Sequence, residues 1–320
     1  MAKGISLHIG VNKVDPGEYP MAPTHAGWEM VVVPQDGGGR ARFPGNFDIG
    51  WEGPLASCEK DAEDMFQLAE SQGFESTILK THKATAESVE DEIRSAAKQL
   101  KTGDIFFLTY AGHGAQVEDI SGDEKDSDSL DETWCLYDRM FLDDEQQALF
   151  AKFAKGVGII VLSDSCHSGT ATRSGASDEE RDRKRRGIRA VTERTAKAIY
   201  EGNQDKYDRI QNNLERRAKP KASRILISAC QDHEHAMGDD DNGMFTHALK
   251  KVWNDGKFKG NYEDLAKKIK AELKKDYKAA VKRAGGDKSK VEGQVPNFVC
   301  IKGASAAALA ELVKKRPFSI

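Results

Sequence analysis

The sequence contains few cysteines, no long hydrophobic run and little net charge. Its 320 residues include only five cysteines, an odd number without the spacing of a disulfide framework, which favours a reducing compartment. No apolar stretch is long enough to span a membrane, and the N-terminus lacks the apolar core and cleavage site of a signal peptide. The net charge of -4 provides no overall basic field for nucleic acid. We therefore expect a soluble, cytoplasmic protein that binds neither nucleic acid nor a membrane.

What the sequence does contain is an alternation of short apolar runs with helical patterns, which predicts an α/β fold with a largely parallel sheet. Two runs, "DIFFLTYAGHG" and "GIIVLSDSCHSG", are apolar almost without alternation, as central strands covered on both faces are. Six strands are expected, at residues 5–12, 76–81, 104–114, 158–169, 223–231 and 295–303, and the main helices at 54–74, 85–100 and within 243–284.

Two segments interrupt this alternation within what we expect to be a single domain over residues 1–320. The segment 13–53 is rich in Gly and Pro and too long for a plain connection, so it is predicted to be an inserted hairpin or surface loop. The segment 173–222 is highly charged and includes the basic run "RKRRGIR". It is either a charged surface helix or a mobile linker open to proteases. A nucleic-acid patch is a third interpretation, which the acidic neighbours weaken.

Reactive side chains follow the two most apolar runs. His113 stands between two glycines after the first run, and Cys166 follows the second. Because the carboxyl ends of parallel strands meet at one edge of a sheet, an imidazole and a thiol there can face each other. The backbone N–H groups of Gly114 and Cys166 can then hold the oxyanion of a tetrahedral intermediate. Either side chain alone is more often structural, but together they predict acyl transfer by a Cys-His dyad.

The motifs "TYAGHG" and "LSDSCHSG", in this order and separation, resemble the histidine and cysteine motifs of the caspase-like cysteine peptidases. The resemblance is to the metacaspase and bacterial caspase-homologue branch in particular, and it extends from the first strand to about residue 303. It implies the caspase-hemoglobinase fold, a three-layer sandwich with the sheet between helices. It also implies that His113 is the general base and Cys166 the nucleophile.

The same resemblance implies a substrate preference, because metacaspases cleave after arginine or lysine through an acidic pocket. "SCEKDAEDM" matches the metacaspase helix that contributes Cys58 and Asp61, and Asp164 lies two residues before the nucleophile. Ala111 stands where metacaspases often have a serine, so one polar contact of the pocket is absent. Buried carboxylates need a cationic partner, which a substrate Arg or Lys supplies. The alternative for Asp61 is the solvated face of an acidic helix.

An acidic stretch, residues 118–145, follows the histidine and resembles the calcium-binding region of many metacaspases. Matched to their pattern, Asp131 precedes the short strand "TWCLYD", and Asp143 and Asp144 follow it. Oxygen ligands in a loop suit Ca²⁺. Arg173 stands where some relatives carry a further carboxylate. The other interpretation is a solvated acidic loop, and no cofactor is expected for the chemistry itself.

These observations predict a monomeric cysteine endopeptidase that cleaves protein or peptide substrates after Arg or Lys. The segment 173–222 lies where caspase relatives are cut into two parts, and its many basic residues match that preference. Cleavage there, by the protein itself or by an upstream protease, is expected to activate it, with calcium as a second activator. The competing interpretation is a pseudo-enzyme that acts as an interaction module through the charged insert.

Overall fold

The computed structural model describes residues 2–20, 50–119, 130–165, 189–212, 219–229, 242–283, 285–287 and 296–320. The strands there are β1 (Gly4–Gly10), β2 (Glu75–Lys80), β3 (Ile105–Ala111), β4 (Gly114–Glu118), β5 (Leu130–Cys135), β6 (Met140–Leu142), β7 (Gly158–Asp164), β8 (Ser223–Ser228) and β9 (Asn297–Ile301). The α-helices are α1 (Cys58–Ser71), α2 (Ala86–Gln99), α3 (Asp143–Phe150), α4 (Glu193–Gly202), α5 (Gln204–Gln211), α6 (Met244–Trp253), α7 (Tyr262–Arg283) and α8 (Ala306–Lys314).

The central sheet has six strands in the order β2-β1-β3-β7-β8-β9. The first five run parallel, and β9 pairs antiparallel with β8. Every residue of β3 and β7 is buried because helices cover both faces of the sheet. Helices α1, α6, α7 and α8 supply one apolar layer, and α2, α3 and α4 supply the other. The predicted α/β sandwich, with a mostly parallel six-stranded sheet, is confirmed.

A second, antiparallel sheet of β4, β5 and β6 starts directly after His113. The sequence predicts one short strand over "TWCLYD", residues 133–138, whereas β5 occupies residues 130–135 and the chain turns before β6. This small sheet matters for the site because its first strand begins at Gly114, and the Cys135 N–H donates to the His113 carbonyl oxygen at 2.9 Å.

Within the charged segment 173–222, residues 193–202 and 204–211 form α4 and α5. Residues Ala196, Ile199 and Tyr207 of α4 and α5 are buried in the apolar core. The helical alternative therefore applies to residues 193–202 and 204–211, and the linker interpretation of the whole segment stays a prediction. Residues 21–49 and 166–188 lie outside the described residues, so the single domain and its two insertions stay predictions. None of the described helices combines the length and apolar character that a membrane crossing demands.

His8 in β1 makes the stability of this fold depend on pH. It is fully buried, with its ring nitrogens 2.9 Å from the hydroxyl oxygens of Thr109 and Ser6. Burial lowers the pKa of His8 from 6.5 to about 3. Between these values the unfolded chain binds a proton that the folded chain does not, so acidification lowers the free energy of unfolding. The effect is at most about 1.4 kcal/mol per pH unit for this residue.

We therefore expect the His8→Gln variant to lose the part of this pH dependence that comes from the binding of one proton. Urea unfolding at about pH 7 and about pH 5 measures the free energy of unfolding of each variant. The exposed His82, replaced by Gln, is the matched control and should unfold with the wild-type dependence. Identical pH dependences in the two variants would contradict a neutral, buried His8.

Candidate active site

The carboxyl ends of β3 and β7 meet at one edge of the central sheet. The two strands are parallel neighbours, and Ala111 is paired with Asp164. The predicted adjacency of the two strands that carry the motifs is therefore confirmed. His113 follows β3 by two residues, while Ser165 is the last described residue after β7. Cys166, the predicted nucleophile, lies outside the described residues.

The imidazole of His113 is a buried neutral base. Its Nε2 lies 3.0 Å from the carbonyl oxygen of Gly53, which can only accept, so Nε2 carries the proton of the neutral ring. Its Nδ1 is buried and makes no hydrogen bond to the described residues. Burial, assisted by the positive charge of Arg189, lowers the pKa of His113 to about 4. At neutral pH the lone pair of Nδ1 is therefore available to accept a proton.

Backbone contacts fix the turn that carries His113. The Tyr110 hydroxyl donates to the His113 carbonyl oxygen at 2.7 Å. A Cβ added to Gly112 would lie 2.4 Å from that same hydroxyl, so a side chain there would displace the tyrosine ring. The Trp51 ring packs edge-on against the imidazole, with 4.9 Å between the two ring centroids, and shields the imidazole from solvent. The glycine before His113 is thus needed for close packing of the turn.

Two carboxylates of the predicted pocket converge beside this turn. Asp61 lies in the first turn of α1, Asp164 ends β7, and both are buried. A small cavity at the sheet edge has Asp61, Ala111 and Asp164 among its lining residues. Since only 1% of Asp61 is exposed, the alternative of a solvated helix face is wrong for this residue.

The chain's own Arg189 places its guanidinium between these two carboxylates. Nη1 lies 2.9 Å from Asp164 Oδ2, and Nη2 donates to Asp61 Oδ2 in a short hydrogen bond. Nη1 also donates to the Asp164 carbonyl oxygen at 3.1 Å, and Nη2 donates to the Ser57 hydroxyl oxygen at 2.8 Å. Only 1% of Arg189 is exposed. The space between the two carboxylates therefore fits the planar, multi-donor shape of a guanidinium.

The charges in this pocket depend on one another. Burial raises the pKa of Asp164 to about 6, the positive charge of Arg189 opposes that rise, and the negative charge of Asp61 adds to it. Two ionised carboxylates around one guanidinium leave a negative surplus in a site that excludes water. Removing the cation would leave both carboxylates buried without compensation, so the pocket requires a positively charged occupant.

Residues at and before the start of α6 complete the pocket, and the sequence reasoning missed them. Asn242 Nδ2 and the Gly243 N–H donate to Asp61 Oδ1 at 2.8 and 3.0 Å. The Thr246 hydroxyl donates to Asp164 Oδ2 at 3.0 Å. These partners lie 181, 182 and 82 positions apart in the sequence, so no local pattern could have indicated them.

Cys58, the remaining predicted pocket residue, begins α1 and is completely buried. Burial raises the pKa of its thiol to about 12, while the nearby charges of Arg189 and Asp61 act on it in opposite directions. The thiol is therefore protonated at neutral pH and lies close to the pocket charges. It packs beside the pocket and is not a second nucleophile.

The first of the two predicted oxyanion donors, the Gly114 N–H, already makes a hydrogen bond within the chain. The Gly114 N–H donates to the carbonyl oxygen of Arg189 at 2.9 Å. Arg189 thus has its side chain in the acidic pocket and its carbonyl group at the Gly114 amide. The second predicted donor, the N–H of Cys166, lies outside the described residues.

The predicted calcium ligands lie near one end of the small sheet. Asp131 is buried on β5, and Asp143 and Asp144 begin α3 directly after β6. Across the described ranges, no group of three or more His, Cys, Asp or Glu side chains is arranged to hold a metal ion. These three residues therefore do not form a complete metal site, and residues 120–129 of the acidic stretch fall outside the description.

A caspase-type arrangement emerges from this geometry: a parallel α/β sheet whose carboxyl edge holds a histidine and an acidic pocket. The sequence profile of the caspase domain matches residues 42–302 of the chain. The chain therefore belongs to the caspase-domain family, a family of cysteine peptidases.

Similar proteins include metacaspases and one solved structure of matching length. Metacaspase-1 of Saccharomyces cerevisiae is 32% identical over 139 residues, which cover 38% of this chain and 31% of that protein. Metacaspase-6 of Arabidopsis thaliana is 28% identical over 131 residues, covering 38% and 35%. The match thus spans about a third of the length of these curated relatives. The crystal structure of protein GSU0716 from Geobacter sulfurreducens is 36% identical, with a TM-score of 0.71 and 99% of both chains covered.

Proposed function

We propose that this protein is a cysteine endopeptidase that cleaves peptide bonds after arginine or lysine. The observation that supports this most directly is the position of Arg189. Its guanidinium lies between Asp61 and Asp164, and its carbonyl oxygen accepts from the Gly114 N–H. A substrate arginine bound in the same way would have its scissile carbonyl at the amide that directly follows His113.

The proposed mechanism gives each described group one task. His113 Nδ1 accepts the proton of the Cys166 thiol, and the thiolate attacks the carbonyl carbon of the residue in the pocket. The Gly53 carbonyl keeps Nε2 protonated and stabilises the imidazolium that forms. The Gly114 N–H stabilises the oxyanion. The imidazolium then protonates the leaving amine, and water hydrolyses the thioester.

Fluorogenic peptides that differ only in the residue before the reporter group test this specificity. We expect turnover with arginine and lysine, and none above background with aspartate, because an aspartate would add a third carboxylate to the pocket. Faster turnover of the aspartyl peptide than of the arginyl peptide would refute the proposed acidic pocket.

Replacing Gly243 by alanine is expected to narrow the pocket. A Cβ at this position would lie 2.4 Å from Asp164 Oδ2 and 2.7 Å from the nearest guanidinium nitrogen, while the φ of -60° suits alanine. We expect kcat/KM for an arginyl peptide to fall about 10- to 100-fold, the range of one misplaced methyl group.

The exposed Gly17, replaced by alanine, is the control for the Gly243→Ala variant, since its added Cβ would approach only the Asp15 side chain, at 3.3 Å. Wild-type kinetics in both variants would show that substrate arginine does not occupy the space beside Gly243.

We also propose calcium as an activator, supported by the acidic composition of residues 118–145 and not by a complete ligand set among the described residues. No step of the mechanism above uses a metal. Calorimetry should record heat on addition of Ca²⁺, and activity should fall in chelator. The absence of heat, together with unchanged activity in chelator, would remove this proposal.

A further inference from the structure

The backbone around Arg189 is held as firmly as its side chain. The Gly114 N–H donates to the Arg189 carbonyl oxygen at 2.9 Å, and the Val191 N–H donates to the Gly114 carbonyl oxygen at 2.8 Å. Ala190 forms a parallel β-bridge with Gly114. The peptide bond from Arg189 to Ala190 therefore lies alongside the residue that follows His113, between two hydrogen bonds to the same glycine.

Three other basic residues in the described part of the segment 173–222 do not share this arrangement. Arg194, Lys197 and Arg209 are exposed on α4 and α5. Peptides bound along a strand edge, as here along Gly114, have an extended backbone, which a residue inside a helix lacks. Among these residues, Arg189 combines a filled acidic pocket with a carbonyl group at the oxyanion donor.

We propose that the peptide bond between Arg189 and Ala190 is the chain's own processing site, and that Arg189 occupies the substrate pocket until that bond is cut. This inference rests on the proposed peptidase function. It adds the identity of the bond, and it implies that the intact chain is latent because external arginine cannot enter an occupied pocket.

The cleavage step follows the chemistry proposed for external substrates. The Cys166 thiol gives its proton to His113 Nδ1, and its sulfur forms a bond to the carbonyl carbon of Arg189. The C–N bond to Ala190 then breaks, and the Ala190 nitrogen takes the proton from His113. Water hydrolyses the thioester, which leaves a carboxylate on Arg189, a free amine on Ala190 and the thiol restored.

The two sides of the cut differ in what holds them afterwards. Val191 is buried, and the Thr192 hydroxyl caps α4 by accepting from the Thr195 N–H at 3.2 Å. The new N-terminus at Ala190 therefore stays attached to a packed helix. The other side ends at Arg189, which after cleavage has no covalent link to that helix and can leave the pocket.

The test uses the full-length chain, incubated after purification and analysed by N-terminal sequencing and intact mass. We expect the wild-type protein to yield a fragment that begins at Ala190, and the Cys166→Ala protein to lack it. Because Arg189 is enclosed in its own chain, the rate should not change on dilution. Cys166→Ala chains mixed with wild-type protein should stay uncut at this bond. Cleavage of those chains at Arg189 would overturn the internal-substrate arrangement.

Variants at the pocket provide a second readout. Arg189→Gln should lose the fragment that begins at Ala190. It should also hydrolyse an added arginyl peptide without the lag that we expect of the wild-type protein. Arg189→Lys keeps the positive charge between Asp61 and Asp164, so it should still be cut before Ala190, which controls for misfolding of the glutamine variant. Arg194→Gln removes the same charge five residues away and should be processed like the wild-type chain.

Two results would contradict this inference and can be told apart. If the intact wild-type chain hydrolyses the arginyl peptide at full rate without being cut before Ala190, the processing site is wrong while the peptidase function stands. If neither wild-type protein nor Arg189→Gln hydrolyses the arginyl peptide and no fragment forms, both the processing site and the peptidase function are wrong.

Discussion

Replacing His113 by alanine is expected to lower kcat/KM for an arginyl peptide by about 10³-fold. In the wild-type chain Nε2 is fixed by the Gly53 carbonyl and Nδ1 is unprotonated at neutral pH, because burial lowers the pKa of His113 to about 4. Alanine removes the proton acceptor, so the nucleophilic thiol stays mostly protonated at neutral pH. Steady-state hydrolysis of the fluorogenic arginyl peptide measures the change, with Arg189→Gln present in both chains so that the pocket is open in each.

The exposed His82, replaced by alanine, is the control for the loss of an imidazole. Thermal unfolding of both variants separates a lost base from a lost fold, since His113 also packs against Trp51. A folded His113→Ala enzyme that keeps a tenth or more of the wild-type kcat/KM would contradict its role as the base.

Converting Asp164 to asparagine is expected to lower kcat/KM for arginyl and lysyl peptides by about 10²-fold. The carboxylate is buried and faces the guanidinium position at 2.9 Å, and loss of one partner from such a pair costs roughly 3 kcal/mol. Asp61→Asn should also lower kcat/KM for these peptides. The remaining carboxylate and the Ser57 hydroxyl still bind the cation, so binding is weakened and not abolished.

The pH dependence of kcat/KM should reflect the protonation of the Asp164 carboxylate. Burial raises the pKa of Asp164 to about 6, and it would be higher without the Arg189 charge that opposes this rise. Below its pKa the carboxylate binds a proton and loses its attraction for a cation. Because kcat/KM reports the free enzyme, whose pocket no longer holds Arg189 after cleavage, we expect wild-type kcat/KM for arginyl peptides to fall on acidification with a midpoint above about pH 6. The Asp164→Asn variant should show a smaller contribution of this kind.

Glu63→Gln is the matched control for the two pocket variants, because Glu63 lies on the same helix as Asp61 and pairs with Lys80 outside the pocket. It should retain wild-type kcat/KM. Equal activity on arginyl peptides in Asp164→Asn, Asp61→Asn and Glu63→Gln would show that the two buried carboxylates do not select the substrate.

The strand pattern predicted the central sheet well because burial on both faces makes a run apolar at every position. β3 and β7 lie where "DIFFLTYAGHG" and "GIIVLSDSCHSG" indicated them, although each ends before the glycine-rich part of its motif. The small sheet was largely missed, since β6 has only three residues, too few to form a pattern. The helices α4 and α5 were left undecided because their charged residues hide a narrow apolar face that includes Ala196, Ile199 and Tyr207.

The site was only partly predictable, for a different reason. His113, Asp61 and Asp164 carry side-chain chemistry in recognisable motifs, and the structure brings all three to one edge of the sheet. The partner of His113 is the carbonyl oxygen of Gly53, a group that every residue has, so no sequence signal points to it. Arg189 belongs to a basic run that matched the expected cleavage preference. Its hydrogen bond to Asp61 joins residues 128 positions apart, so the sequence alone could not predict it.

Covalent labelling with a peptide chloromethyl ketone that ends in arginine tests most directly whether this pocket delivers an arginyl carbonyl to a thiol. Wild-type protein that has been cut before Ala190, or the Arg189→Gln protein with its open pocket, is incubated with the reagent, with and without Ca²⁺, and the modified residue is located by mass spectrometry. Our account predicts one label, on Cys166, which disappears in His113→Ala and is not formed by the corresponding aspartyl reagent. A folded Arg189→Gln protein with no label under either condition, or equal labelling by both reagents, would contradict the account and favour an interaction module on a caspase-type fold.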